Sequence, residues 1–569
     1  MMRPVRQLYP MSRIGCVLFG LLLSAVAGYA QDLGSLGKQK PFAISGALNV
    51  TVDGYNNVQG RERLDPLAWT ISGSPTLSIY GISLPIYVLI NNQSRSLTGP
   101  YQQFGMSPTY KWIRVHAGYR NLSFSPYTLA GRLFLGGGIE LTPGKLRLAA
   151  MYGQFEKAQP ADSLRFVLAD VPPPAPRFQR TGYAVKVGYG TANSFIDLIY
   201  FRAKDNVGSI RFPANTRIAP DENAVVGLSS QLTFLKHFTW SANLGISAYT
   251  RDIRRSENTD VLDQAPWLRT FIVPRTGTQV GYAGESSLSY SSTLLTMQLQ
   301  VRQISAEYQS MGAYFFNNDL REITVSPSLV LLDGKVQVSG SYGYQQDNVS
   351  NLRPTTTTRQ IGSANVTVQP NQVFSMLMSY SNYGTSQRGT ERIIDTLKIQ
   401  QVNQSVIIAP RLFFNGEAVQ HTLSAFVSYQ NANDVNTVSQ VRTDFNNILA
   451  NLNYAYTRPK ERLSLTPGLS AIRNFVPGYN TQSFGATVIA SKGFDKGKLN
   501  TSLSGNYYQN FYEGAANGYT LRTRLSGRYR PAGTHEFSLS VASTINQDKV
   551  VQSRNFTELF GQVGYGLSF

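Results

Sequence analysis

The chain has 569 residues, 42% of them hydrophobic and only 15% charged, with a formal net charge of +19. Its single cysteine, Cys16, falls in an N-terminal export signal, so the mature chain holds no thiol, and disulfide bonds and thiol chemistry are excluded. Length alone would suggest about three or four soluble domains of ~150 residues, but aromatic residues, Gly, Ser, Thr and Asn recur at even density from Phe42 onward and mark no boundary. One long β domain is the economical reading.

At the N-terminus, Arg3, Arg6 and Arg13 precede an apolar run from Ile14 to Val26. Ala27-Gly28-Tyr29-Ala30 then puts small residues at the two positions a signal peptidase reads, so cleavage is expected between Ala30 and Gln31. The run is too short to span a bilayer as a helix, and no second apolar run of helix length follows. Sec-type export to the periplasm is therefore the expected route. Cys16 lies near the start of the apolar run, not behind it, which argues against a lipoprotein. Met11 would start a signal of more usual length. Residues 1–30 are read as signal peptide, 31–41 as a short periplasmic segment and 42–569 as the strand-rich domain.

Beyond Phe42, short turn signals recur, each followed by alternating apolar and polar residues. Thr142-Pro143-Gly144-Lys145 opens Leu146, Leu148, Ala150 and Tyr152 on one face, against Lys145, Arg147 and Ala149 on the other. Asp333-Gly334-Lys335, Asp495-Lys496-Gly497-Lys498 and Pro531-Ala532-Gly533-Thr534 open strands of the same kind. Less sharp turns fit the rhythm at residues 80–83, 109–112, 190–193, 235–237, 290–293, 369–372, 414–417 and 458–461. Longer polar connections lie between them at residues 53–66, 156–179, 204–222, 251–276, 303–320, 382–395 and 547–555. About twelve short turns plus two termini at the same end predict roughly 26 strands. A count of about 24 is also compatible, because residues 120–131 and the region around Thr109 read either way. A propeller or solenoid would show a fixed repeat, and none is present.

The last strand is the most informative. Leu559, Gly561, Val563, Tyr565, Leu567 and Phe569 share one face, and Gln562, Gly564, Gly566 and Ser568 share the other. An apolar outer face that ends on an aromatic terminal residue suits a lipid environment better than a soluble sandwich. The segment resembles the last strand of Gram-negative outer-membrane β-barrels, whose assembly signal runs polar, any, Gly, any, any, hydrophobic, any, aromatic; Gln562, Gly564, Leu567 and Phe569 match it. The Tyr-, Asn- and Ser-rich, basic character is similar to barrels of Bacteroidota. The resemblance implies an all-β fold, a single large transmembrane antiparallel β-barrel with short periplasmic turns and long extracellular loops. It also implies outer-membrane lipid as its surroundings and the barrel-assembly machinery as a partner in biogenesis.

Removing the three signal arginines leaves 49 basic against 33 acidic residues. By alternation, Arg114, Arg120, Arg132, Lys145, Arg147, Lys186, Arg302, Arg522, Arg524, Arg528 and Arg530 point into the lumen, since a charge on the lipid face costs ~2–4 kcal/mol near the midplane. Such a basic wall draws anions inward. The competing reading is that these groups pair with Glu140, Glu536 and acidic loops merely to solvate the interior. Nucleic-acid binding is disfavoured, because no recognition module accompanies the charge. His116, His237, His421 and His535 stand in no metal-ligand spacing, and neither an enzyme motif nor a cofactor motif is present, so catalysis is not expected. The eleven residues between the expected cleavage site and Phe42 leave no room for a folded N-terminal plug, so the lumen is expected to be closed by its own loops, such as 156–179 or 251–276, or by a partner subunit. Two functions follow: a channel or transporter for solutes, anion-favouring through the basic wall, or a non-conducting scaffold or translocon barrel that holds partners.

Overall fold

The alternation read from the sequence closes into a cylinder. In the computed structural model, residues 41–569 are described except 61–63, 81, 93–102, 161–175, 211–217, 265, 315–316, 390–399, 437–443 and 532. The described residues form 29 hydrogen-bonded segments, each antiparallel to its neighbours. Three staves are interrupted, Phe42–Ser45 with Ala47–Gln59, Leu67–Gly73 with Thr76–Ile79, and Gln103–Met106 with Thr109–Tyr110, so the barrel has 26 staves. The second and third breaks contain Pro75 and Pro108, which have no N–H to give to a ladder. The first strand closes on the last, from Ala47 opposite Ser568 to Asn57 opposite Glu558. Closure leaves no sheet edge to template aggregation.

All twelve turns expected from the sequence are observed between successive strands, at the end that also holds Gly46 and Phe569, whose backbones exchange hydrogen bonds of 2.9 and 3.0 Å. At the opposite end two connections are as tight as turns: Pro477-Gly478 between Leu463–Val476 and Tyr479–Phe494, and Glu513-Gly514 between Leu499–Tyr512 and Ala515–Tyr529. Leu559, Val563, Leu539, Leu525, Leu503, Val488 and Phe484 are exposed on the outer face. An apolar belt of this kind fits a bilayer, which covers it without protein. Residues 1–40, including Ala30 and Gln31, lie outside the described residues.

The lumen is lined unevenly. The connections 124–129 and 305–319 turn inward and lie on the wall formed by the strands from Ile113–Ser123 to Leu295–Ile304. Leu129, Phe134, Ile199, Phe201, Val225 and Met311 are buried there in one cluster, and Tyr127 with Tyr308 anchor a second. Burial raises the phenols of Tyr127 and Tyr308 well above the usual tyrosine range. The Tyr308 hydroxyl donates to the Tyr127 carbonyl, Ser310 Oγ donates to the Thr128 carbonyl at 2.7 Å, and the Ala130 N–H donates to the Gly312 carbonyl at 2.9 Å. The wall accepts this loop through a glycine: a Cβ on Gly281 would lie 2.5 Å from the Tyr308 backbone nitrogen. Beyond Leu320 the only buried apolar residue among those described is Ala432, so no described loop packs on the rest of the wall.

The connection 251–276, one of two expected as a constriction, goes the other way. Its Phe271 packs edge-on against Tyr200 with ring centroids 5.5 Å apart, and the Tyr200 hydroxyl donates to the Phe271 carbonyl at 2.7 Å. Tyr200 shares a face with the exposed Val185 and Val226, so this segment lies on the outer wall at the loop end. Its apolar residues fit this direction: Phe271 meets the apolar outer surface at Tyr200, and Ile253 and Ile272 are buried. The middle of connection 156–179 lies outside the described residues.

Candidate functional site

A row of charge follows the strand register across the covered sector and onto the strands just beyond it. Arg147, Gly188, Asp197, Ser229, Asn243, Glu285, Arg302, Glu322, Gln345 and Arg359 are successive cross-strand partners on the inner face. Arg147 clasps Asp197 with bonds of 2.8 and 2.9 Å and stacks on Phe195, while Lys186 approaches the same carboxylate at 3.9 Å. Gly188 stands between the pair, and a Cβ there would collide with Asp197 Oδ1. Asn243 donates to Glu285 at 3.0 Å, Arg302 to Glu322 at 2.5 Å, Gln345 to Glu322 at 3.2 Å and Arg359 to Gln345 at 3.1 Å. Arg132 meets Glu156 at 2.6 Å and also donates to the Ala313 carbonyl of an inward loop. Arg180 bridges Asp205 at 2.8 Å and Glu156 at 3.5 Å. Glu140 takes a 2.7 Å bond with the buried His116 and lies 4.0 Å from Arg114. Paired in this way, the charges solvate a packed wall and leave little net field.

The open sector is different. Thr457, Ser464, Ser491, Ser502, Ser526, Ser540, Gln562 and Asp53 form one continuous cross-strand row on the inner face. Gln562 donates to Asp53 at 2.8 Å across the barrel's closing seam. One step toward the turn end, Gly493, Asn500, Arg528, Ser538, Gly564 and Thr51 form the next row. One and two steps the other way stand Arg524, between Ser504 and Ala542, and Arg522, between Asn506 and Thr544. Arg522 and Arg524 make no ion pair among the described residues. Both line a cavity of about 440 Å³ together with Glu558. Arg528 and Arg530 share one carboxylate, Glu536, at 3.0 and 2.5 Å.

Of the basic residues expected on the wall, Arg114, Arg120, Arg132, Arg147, Lys186, Arg302, Arg522, Arg524 and Arg528 point inward from their strands. Arg120 donates to the Met106 carbonyl at 3.2 Å. Arg530 follows the end of its strand but reaches the inward Glu536. Lys145 stands exposed in the turn before Leu146–Glu156, where its carbonyl accepts from the Gly190 N–H at 2.7 Å. In the covered sector the acidic partners sit on adjacent or next-but-one strands, and only the register brings them to the arginines. Of the residues expected to form an assembly signal, Gln562 and Gly564 face the lumen and Leu567 pairs with Leu48 on the outer face. Sequence reading missed the serine row. A single serine per strand is unremarkable, and only the register aligns five of them. Among the described residues no group of three metal-ligating side chains forms.

No protein-family model matches the sequence, and no curated protein matches it either. Among solved structures, a mutant ferric enterobactin receptor (PfeA) from Pseudomonas aeruginosa aligns over 93% of this chain and 81% of its own at 10% identity and a TM-score of 0.41. The FrpB iron transporter from Neisseria meningitidis (F3-3 variant) aligns over 92% of this chain and 81% of its own at 12% identity and 0.37. The P pilus usher (PapC) translocation pore aligns over 93% of this chain and all of its own at 10% identity and 0.36. At these values the likeness carries no argument, and the barrel rests on its own strand pairing.

Proposed function

We propose that the protein is an outer-membrane channel or transporter for polar solutes, and that its open sector is the path they take, with a preference for anions. One observation carries this reading: the lumen is divided into a loop-packed, charge-compensated wall and a bare wall of hydroxyls and amides studded with Arg522 and Arg524. Neutral hydrogen-bonding groups replace part of a solute's hydration, and uncompensated guanidinium groups in a confined space raise the local concentration of anions. The apolar belt and the terminal strand's match to the assembly signal support the outer-membrane location and the Gram-negative assembly route. Planar-bilayer recording of the purified mature protein tests the reading. Stepwise conductance with anion preference is expected; a silent barrel that co-purifies with stoichiometric partners would replace it with a scaffold.

A further inference from the structure

At the turn end of the open sector lies a cavity of about 500 Å³ lined by Arg462, Arg528, Arg530 and the serines 491, 502, 526, 538 and 540. We propose that it binds a doubly charged tetrahedral oxyanion, a phosphoryl or sulfate group on a hydroxyl-rich solute. This rests on the reading of the open sector as a solute path and names what that path selects.

The charge balance points to a dianion. Three guanidinium groups line the cavity together with Lys492, and only Arg528 and Arg530 meet a carboxylate there, sharing Glu536, so at least two positive charges are uncompensated among the described residues. Glu536 holds Arg528 and Arg530 side by side, and each retains N–H donors that the shared carboxylate does not use. Arg462 comes from the turn before Leu463–Val476 and lies flat along the wall: its Cβ and Cδ lie 2.9 and 3.0 Å from where a Cβ on Gly493 would sit. It has no carboxylate partner among the described residues. Arginine forks match the paired oxygens of phosphate or sulfate. The row of serines supplies neutral donors one step deeper, and the buried Ser540 Oγ has no hydrogen-bond partner. Gly493 and Asn500 separate Arg462 from Arg528 along this row, and the missing side chain at Gly493 leaves room for the Arg462 stem. A lone carboxylate would neutralise half of this field and use few of its donors.

The test is calorimetric titration of the detergent-solubilised full barrel with inorganic phosphate, with sulfate as competitor and chloride at matched ionic strength as control. One saturable site is expected, displaced by sulfate and not by chloride. R462Q and the double variant R528Q/R530Q should each weaken binding about tenfold or more, and R254Q, in the loop-end connection 251–276 where Arg254 pairs with Asp252, should leave it within about twofold. Heat-modifiable gel mobility confirms that each variant is folded. Absence of binding to the wild-type barrel, displacement by chloride, or unchanged binding in both R462Q and R528Q/R530Q would overturn the proposal. The two readings fail separately: a barrel that binds phosphate but passes no current loses the channel and keeps the site, and a conducting barrel that binds no phosphate does the reverse.

Discussion

Arg147 and Arg522 point into the same lumen, each from a strand whose other face meets lipid, yet they stand in different chemistry. Arg147 is clasped by Asp197, stacked on Phe195 and bounded by a packed loop cluster. Arg522 has Asn506 and Thr544 as cross-strand neighbours and lines an open cavity. The alternation that points both inward says nothing about this difference. Whether an inward cation builds a wall or attracts a solute depends on which side chain the next strand places opposite it, and that is set by register.

The comparison can be broken from either side, and the largest effect is expected in the covered sector. Asp197→Asn should destabilise the barrel by about 3 kcal/mol, the lower end for a broken buried pair because Arg147 keeps some access to the lumen; denaturant unfolding in detergent measures it. Gly281→Val should cost about 1–3 kcal/mol by overpacking against Tyr308 and push the 305–319 loop off the wall, seen as new protease cleavage within that loop. Retention of the loop under protease would show that the glycine contact does not seat it. Arg522→Gln should change stability by no more than about 0.5 kcal/mol, as for a substitution away from any buried network, while altering ion preference. A loss like that of Asp197→Asn would erase the distinction between sectors.

The smallest effect is a pH dependence at the loop end. Burial raises the Asp221 carboxyl above its ordinary range, although the Tyr249 hydroxyl donates to it at 2.6 Å. The folded protein therefore holds that proton more tightly than the unfolded chain, so Asp221's contribution is full below the ordinary aspartate value and is lost as pH rises through the raised one. Asp221→Asn should match the wild type in acid and become slightly more stable relative to it on moving from about pH 3 to about pH 7. Thermal melts across that range check the sign.

Most of the fold was legible because a barrel writes the same pattern into each strand. Twelve turn signals located the turn end, and Leu559 to Phe569 alone carried the two-faced alternation. The two tight loop-end connections at Gly478 and Gly514 were missed because nothing in their composition separates them from a loop. Arg302 and Glu322 were both visible, but their pairing requires knowing that Leu295–Ile304 and Leu320–Leu331 align them across a 15-residue connection. The direction of connection 251–276 was hidden for a related reason. Its Phe271 and Ile272 seek an apolar surface, and a membrane barrel offers one outside as well as in.

The central claim is that the open sector conducts and that its unpaired arginines select anions. The direct measurement is the reversal potential of single barrels in a planar bilayer under a potassium chloride gradient, for the wild type and for R522Q/R524Q. A wild-type reversal potential on the anion side is expected, moving toward zero in the variant at similar conductance. A reversal potential unchanged by the double substitution would contradict it.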